Sequence, residues 1–212
     1  MPVKLNEREY RQINVTGLET RADDDNSMIV EGYATTFDQE YTLWDDGRYS
    51  VREKISRSAF DETDMADVIM QYDHEGRVFA RIKNGTLKLT VDDHGLKIRA
   101  DLGGTELGRQ LYEEIKGGYT DKMSFGFTVS KDERTEENDA ANGKTIIHRT
   151  ITGIKKLYDV SAVSIPANPN TDIISARSIG EGLIAEAEEE RLAYEERQMK
   201  IKRIKIMMEA MK

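Results

Sequence analysis

A serine, a histidine and an acid, each lodged in or beside an apolar stretch, are the residues of this sequence whose types suit chemistry. Ser124 lies in Asp121–Phe127 (DKMSFGF), a hydroxyl in an otherwise apolar run. Burying an unpaired hydroxyl costs about 1–3 kcal/mol, so a serine there has a partner or a task. The structural alternative is a small residue making room for Phe125 or Phe127. A serine oxygen is a weak nucleophile until a base takes its proton, and the chain has three histidines to draw on. His94 sits in the turn Asp92–Gly95, where a solvated polar role is expected. His74, in Asp73–Gly76 (DHEG), directly follows a buried-looking strand, so its ring can be held rigidly while reaching a cleft. Its bland alternative is a polar turn residue between two acids. His148 is the other candidate base. A third group usually orients the base, and Asp159, in Lys156–Val163 (KLYDVSAV), is an acid in an apolar strand. A charge on a solvated strand face is the competing reading of Asp159.

Other site types lack their parts. The chain has no cysteine, which removes disulfides, thiolate zinc sites and cysteine nucleophiles together. No GxSxG elbow is present, which argues against an α/β-hydrolase. Gly143–Thr145 (GKT) matches only the tail of a phosphate-binding loop, because Asn138 stands where the first glycine belongs. His74-Glu75 is followed by Gly76, Arg77 and Val78, so HExxH is absent, and no spacing brings the three histidines to one metal. We therefore expect neither a metal nor a cofactor.

Composition narrows the class further. The 212 residues are 38% hydrophobic and 33% charged, enough for one well-buried domain and a modest appendage. A net charge of -9 argues against a nucleic-acid-binding face. No run approaches the roughly 18 apolar residues of a membrane span. Met1–Tyr10 (MPVKLNEREY) lacks the apolar core of a signal peptide, so we expect the chain to stay in the cytoplasm where it is made.

The elements that must position the three residues are mostly strands. Met28–Ala34 and Val68–Tyr72 read as strands, the latter buried on both faces. Val78–Ile82 leads to Asn84-Gly85, a hairpin signal. Thr86–Val91 and Leu96–Leu102 flank the turn Asp92–Gly95, completing an antiparallel meander. Thr105 caps a helix over Glu106–Lys116, with Leu107, Leu111 and Ile115 on one stripe and Gly117-Gly118 as its stop. A strand over Lys122–Val129 precedes an acidic loop from Lys131 to Gly143. Two more strands, Lys144–Ile154 and Leu157–Ile165, end at the rigid segment Pro166–Asn170 (PANPN). The pattern predicts a mainly β fold with few helices: a small, mostly antiparallel barrel over residues 1–176 and a helical extension over 177–212. From Gly182 the chain is rich in Ala, Glu, Lys and Arg. Leu183, Ala187, Glu190, Tyr194, Arg197, Ile201, Ile204, Met208 and Met211 keep a heptad register, strongest from Ile201 onward. This helix either associates with a partner or packs back on its own barrel.

The blocks GYATTF, EKISRSAF, QYDHEG, GTLKLTVDDHGL, DKMSFGF and LYDVSAVSIPANPNT, with a helix ending in Gly-Gly before DKMSFGF, occur in that order from Ile29 to Thr171. In this order they resemble the prohead (capsid maturation) proteases of tailed bacteriophages, a family similar in fold to the herpesvirus assemblin β-barrel. The resemblance implies a serine endopeptidase with Ser124 as nucleophile and His74 as general base. Where relatives commonly carry glutamate this chain has Asp159, a shorter carboxylate. Herpesvirus proteases use a second histidine as third member, which keeps His148 as a competitor. The resemblance also implies the substrates: the scaffolding segment of the major capsid protein precursor, other internal proteins and the protease itself, inside an immature capsid. Self-association is expected as well. The rival class is a non-catalytic internal scaffold that kept the fold.

Overall fold

The computed structural model describes residues 7–13, 18–21, 27–163 and 169–210. Period-2 burial dictates the architecture of these segments. Along Lys122–Asp139, Met123, Phe125, Phe127 and Val129 point into the core, and Val160 and Ala162 do the same along Lys144–Val163. The described residues form eleven strands and two α-helices, with short 3-10 turns between some of them. In chain order the strands are β1 (Arg8–Ile13), β2 (Glu19–Arg21), β3 (Ile29–Thr36), β4 (Tyr41–Asp45), β5 (Tyr49–Ile55), β6 (Ile69–Tyr72), β7 (Glu75–Arg81), β8 (Leu87–Val91), β9 (Gly95–Asp101), β10 (Lys122–Asp139) and β11 (Lys144–Val163). Helix α1 spans Glu106–Lys116 and α2 spans Pro169–Ala210.

Two sheets enclose the core. One runs β1-β10-β11-β5-β4, with β6 on the other end of β11 and β7 beside β6; the smaller runs β2-β3-β9-β8. Most pairings are antiparallel, as expected, but β11 pairs in parallel with both β5 and β6. The mainly β expectation therefore holds, while the meander is interrupted. Asn84-Gly85 does not close a hairpin. Ile82–Asn84 forms a 3-10 turn ended by Gly85 at φ 77°, and the chain passes there from β7 in the large sheet to β8 in the small one. The left-handed residue that Asn-Gly signals is present, but it serves a sheet-to-sheet crossing.

Helix α1 starts and stops as its signals dictate: Thr105 accepts from the Gly108 amide at 2.9 Å, and Gly118 takes φ 72°. Its buried stripe is Gly108, Leu111, Tyr112 and Ile115, and Leu107 lies at the exposed margin. Val68 and Met70 are buried but Ile69 is only half-buried, so the β6 region buries one face and not two. The expected acidic loop from Lys131 is strand: β10 continues to Asp139, paired with β11 throughout. Likewise the two strands expected between Lys144 and Ile165 are one, because register shifts near Gly153 and Leu157 absorb the irregularity without breaking the ladder. The segment Pro166–Asn170 begins outside the described residues, and α2 is already helical from Pro169, earlier than the Gly182 start expected. Helix α2 first packs on the sheet, burying Leu183 with Tyr49, Val51 and Ile147. Beyond Glu188 its described residues are exposed, Leu192, Tyr194, Met199, Ile201, Ile204 and Met208 among them. The reading of a helix packed back on its own barrel thus holds for the first half, while the second half is exposed. Among the described residues, no helix is long and apolar enough to cross a membrane.

Candidate active site

Ser124, Gly126, Asp159 and Ser161 occupy the face of β10 and β11 opposite the core, and the antiparallel register sets Ser124 beside Ser161 and Gly126 beside Asp159. Strand alternation explains this placement: Met123, Phe125 and Phe127 face inward, which turns Ser124 and Gly126 outward. His74 comes from β6, which runs parallel to β11 with Gln71 opposite Ser161. Beyond β6 the Asp73 amide bonds the Ala162 carbonyl at 3.0 Å, and Asp73 and His74 then form the turn into β7. Both central residues have positive φ, 48° and 60°, as a two-residue primed hairpin turn requires. Asp and His tolerate this region better than most side chains, and the turn swings the imidazole back over β10 and β11.

The three side chains meet. His74 Nδ1 lies 2.5 Å from Asp159 Oδ1, and His74 Nε2 lies 2.6 Å from Ser124 Oγ. With the proton on Nδ1 donated to the carboxylate, Nε2 is left as the acceptor facing the serine hydroxyl. Ser124 Oγ also donates within 2.9 Å of the Arg11 carbonyl, so its single proton has two acceptors. Asp159 is fully buried. Burial by itself raises its pKa, yet the His74 hydrogen bond and charge, the Ser161 hydroxyl (2.8 Å from Oδ1) and the Arg8 guanidinium together hold the carboxyl below its ordinary value. The acid is therefore ionised at neutral pH and suited to stabilise an imidazolium.

His148 lies elsewhere. Its Nδ1 is 2.6 Å from Glu40 Oε1 and its Nε2 is 3.4 Å from Glu137 Oε2, on the extended arm of β10 and β11. The competition for the place beside His74 thus falls to Asp159 on geometry. His94 packs against Tyr33, ring centroids 4.6 Å apart, and its amide bonds Asp92 Oδ1 in the turn.

Sequence reasoning missed several neighbours. Ser161, two residues from Asp159, was within reach of the period-2 rule. Arg8 and Tyr10 were not: Arg8–Ile13 (REYRQI) has almost no apolar residue to signal a strand. Gly126 has a steric role, since a Cβ there would lie 2.3 Å from Asp159 Oδ2 and 2.9 Å from Tyr10 Cε1. Only glycine admits the carboxylate.

A family model of caudovirus prohead serine proteases matches residues 16–183. The chain belongs to that family. The match covers both sheets except β1, together with α1 and α2 as far as Leu183, and the family indicates a serine protease. Among solved structures, the bacteriophage T4 capsid assembly protease is similar with a TM-score of 0.46 and 11% identity, over 76% of this chain and 99% of that one. No curated protein matches the prohead protease sequence.

Proposed function

We propose that the chain is a serine endopeptidase in which Ser124 is the nucleophile, His74 the general base and acid, and Asp159 the residue that orients and stabilises His74. The observation that carries this reading is His74 bonded on one ring nitrogen to a buried carboxylate and on the other to a serine hydroxyl. In the mechanism, Nε2 takes the Ser124 proton as Oγ bonds to the peptide carbonyl carbon. The imidazolium is held by Asp159 and then protonates the leaving amine as the C–N bond breaks. A water, deprotonated by the same nitrogen, releases the acyl group from Ser124.

The substrates in this reading are the major capsid protein precursor, cut in its scaffolding segment, other internal proteins and the protease itself. It acts inside the immature capsid and self-associates. Residues 1–176 form the protease unit and residues 177–212 an extension that serves association or packaging. Family membership supports the substrate class, and the exposed apolar half of α2 supports the extension's role.

Incubation of the purified protein with the cognate capsid precursor tests the proposal. Cleavage by the wild type, absent with Ser124→Ala, together with fluorophosphonate labelling at Ser124 located by mass spectrometry, is the expected result. Binding of the precursor without cleavage points to a non-catalytic scaffold, and cleavage that survives Ser124→Ala removes the nucleophile assignment.

A further inference from the structure

Strand β1 lies outside the segment matched by the family model, yet it touches every member of the His74 cluster. It pairs antiparallel with β10, placing Tyr10 opposite Gly126 and Gln12 opposite Ser124. Arg8 bonds Asp159 Oδ2, the oxygen that neither His74 nor Ser161 uses. The Tyr10 ring lies 4.5 Å from the His74 ring at a tilt of 58°. The Arg11 carbonyl accepts from Ser124 Oγ. We infer that β1 completes the active site, with Arg8 as the positioning residue that fixes the Asp159 carboxylate and Tyr10 as the residue that buttresses the His74 ring.

Four observations support this assignment, which rests on the reading of Ser124, His74 and Asp159 given above. First, a carboxylate held on one oxygen alone can pivot about its Cβ–Cγ bond. Arg8 takes the second oxygen and so fixes the plane along which His74 Nδ1–H must point. Second, Arg8 is itself confined, its guanidinium carbon lying 5.0 Å from the Tyr10 ring centroid and 4.6 Å from that of Tyr158. Third, the space is reserved: a Cβ on Gly126 would meet Arg8 Nε at 3.1 Å as well as Asp159 and Tyr10. Fourth, β1 cannot slide. Its alternate residues Glu9 and Arg11 insert into a buried ion cluster with Glu53 and Arg149, and a slip of one residue would send them to the other face. The same strand thus locks itself in register on one face and reaches the reacting groups on the other.

The electrostatic consequence has a definite sign. The groups facing Asp159 are His74, Ser161, Arg8 and the Tyr10 ring; those facing His74 are Asp159, Ser124 and Tyr10, with Glu75 next along the chain. Arg8 is one of the groups that hold the Asp159 carboxyl below its ordinary value, so removing its charge moves the carboxyl's proton uptake to higher pH.

The test uses the full chain and two readouts: the pH dependence of fluorophosphonate labelling at Ser124, and the NMR titration of the Asp159 carboxyl. In Arg8→Met the plateau labelling rate is expected to fall about tenfold, and the acid limb and the Asp159 midpoint to move to higher pH. Arg8→Lys restores the charge, and with it the limb, but recovers the plateau only in part because an ammonium lacks the planar fork. Tyr10→Ala, which removes the ring packed against His74, also lowers the plateau. A folded Arg8→Met protein with a plateau within twofold of wild type and an unmoved Asp159 midpoint overturns the inference. Should Arg8→Met not fold, Arg8→Lys decides: full wild-type plateau there removes the positioning role of the guanidinium. Absence of Ser124 labelling in the wild type defeats the nucleophile assignment instead, and the Asp159 titration still reports on Arg8.

Discussion

Strand β1 carries two polar clusters on its two faces, and they differ in what they do with buried charge. On one face Arg8 and Tyr10 meet Asp159, His74 and Ser124. On the other, Glu9 and Arg11 join Glu53, Arg149, Asp132 and Tyr41. In that cluster Arg149 bonds Glu53 at 2.8 Å, Glu9 at 3.0 Å and Asp132 at 2.6 Å, and Tyr41 bonds Glu53 at 2.5 Å. The second cluster closes on itself: each charge is paired within it, and Glu53 and Arg149 are excluded from solvent. The cluster around His74 is left open at one group, a serine hydroxyl with two acceptors for one proton. A saturated network fixes register and holds the sheet; an unsaturated one leaves a hydroxyl free to change partner, as the proposed nucleophile must. Satisfied buried polar networks rigidify a fold, which is why both can sit on one short strand.

Substitution at the reactive group gives the largest expected separation between the two clusters. Ser124→Ala and His74→Ala should each lower peptide cleavage by about 10⁶-fold, with the double variant little worse because the two act as a unit. Glu53→Gln should leave the rate per folded molecule near wild type. Asp159→Asn comes next: a neutral amide favours the wrong tautomer of His74, and kcat should fall by roughly 10⁴ with unchanged thermal stability. A stability loss matching the loss of rate would move Asp159 into the structural class.

The inverse is expected on the other face. Arg149→Met leaves Glu9 and Glu53 short of a partner in a dry interior, and breaking such a pair costs about 3–5 kcal/mol. Urea denaturation measures it, and a midpoint within error of wild type would deny the cluster its role. Acid should reach the same cluster. Burial raises the pKa of Glu53, but Arg11 and Arg149 outweigh it and bring the group to about 2 from its ordinary 4.5. Because the folded value lies below the unfolded one, this stabilisation is complete above about pH 4.5 and is lost as pH falls toward 2. Thermal melts across that window should therefore drop less steeply in Glu53→Gln than in the wild type, and equal slopes would contradict the assignment. The smallest effect belongs to His148→Ala. With its ring bonded to Glu40 and Glu137 on the arm, the change should alter cleavage by less than about tenfold.

Local pattern was enough for the parts of this protein that are written in periodicity. Alternation in DKMSFGF places Ser124 on the face opposite Phe125, the Thr105 cap and Gly118 bound α1, and the position of His74 at a strand end marks a turn. That the turn leads straight into β7 of the same sheet was not legible. The order of the blocks from Ile29 to Thr171 further identified the family. What the sequence could not decide were pairings between distant segments. The charged stretch Lys131–Asp139 reads as loop and Arg8–Ile13 carries no strand signal, because their places are set by partners elsewhere in the chain: Arg149 for Asp132 and Glu9, Glu186 for Arg134. Which of Asp159 and His148 lies beside His74 likewise depends on the parallel pairing of β6 with the end of β11, which brings His74 to Asp159 and leaves His148 with Glu40 and Glu137. Hydrophobic period determines which way a residue points; only the strand register of the folded chain determines what it meets there.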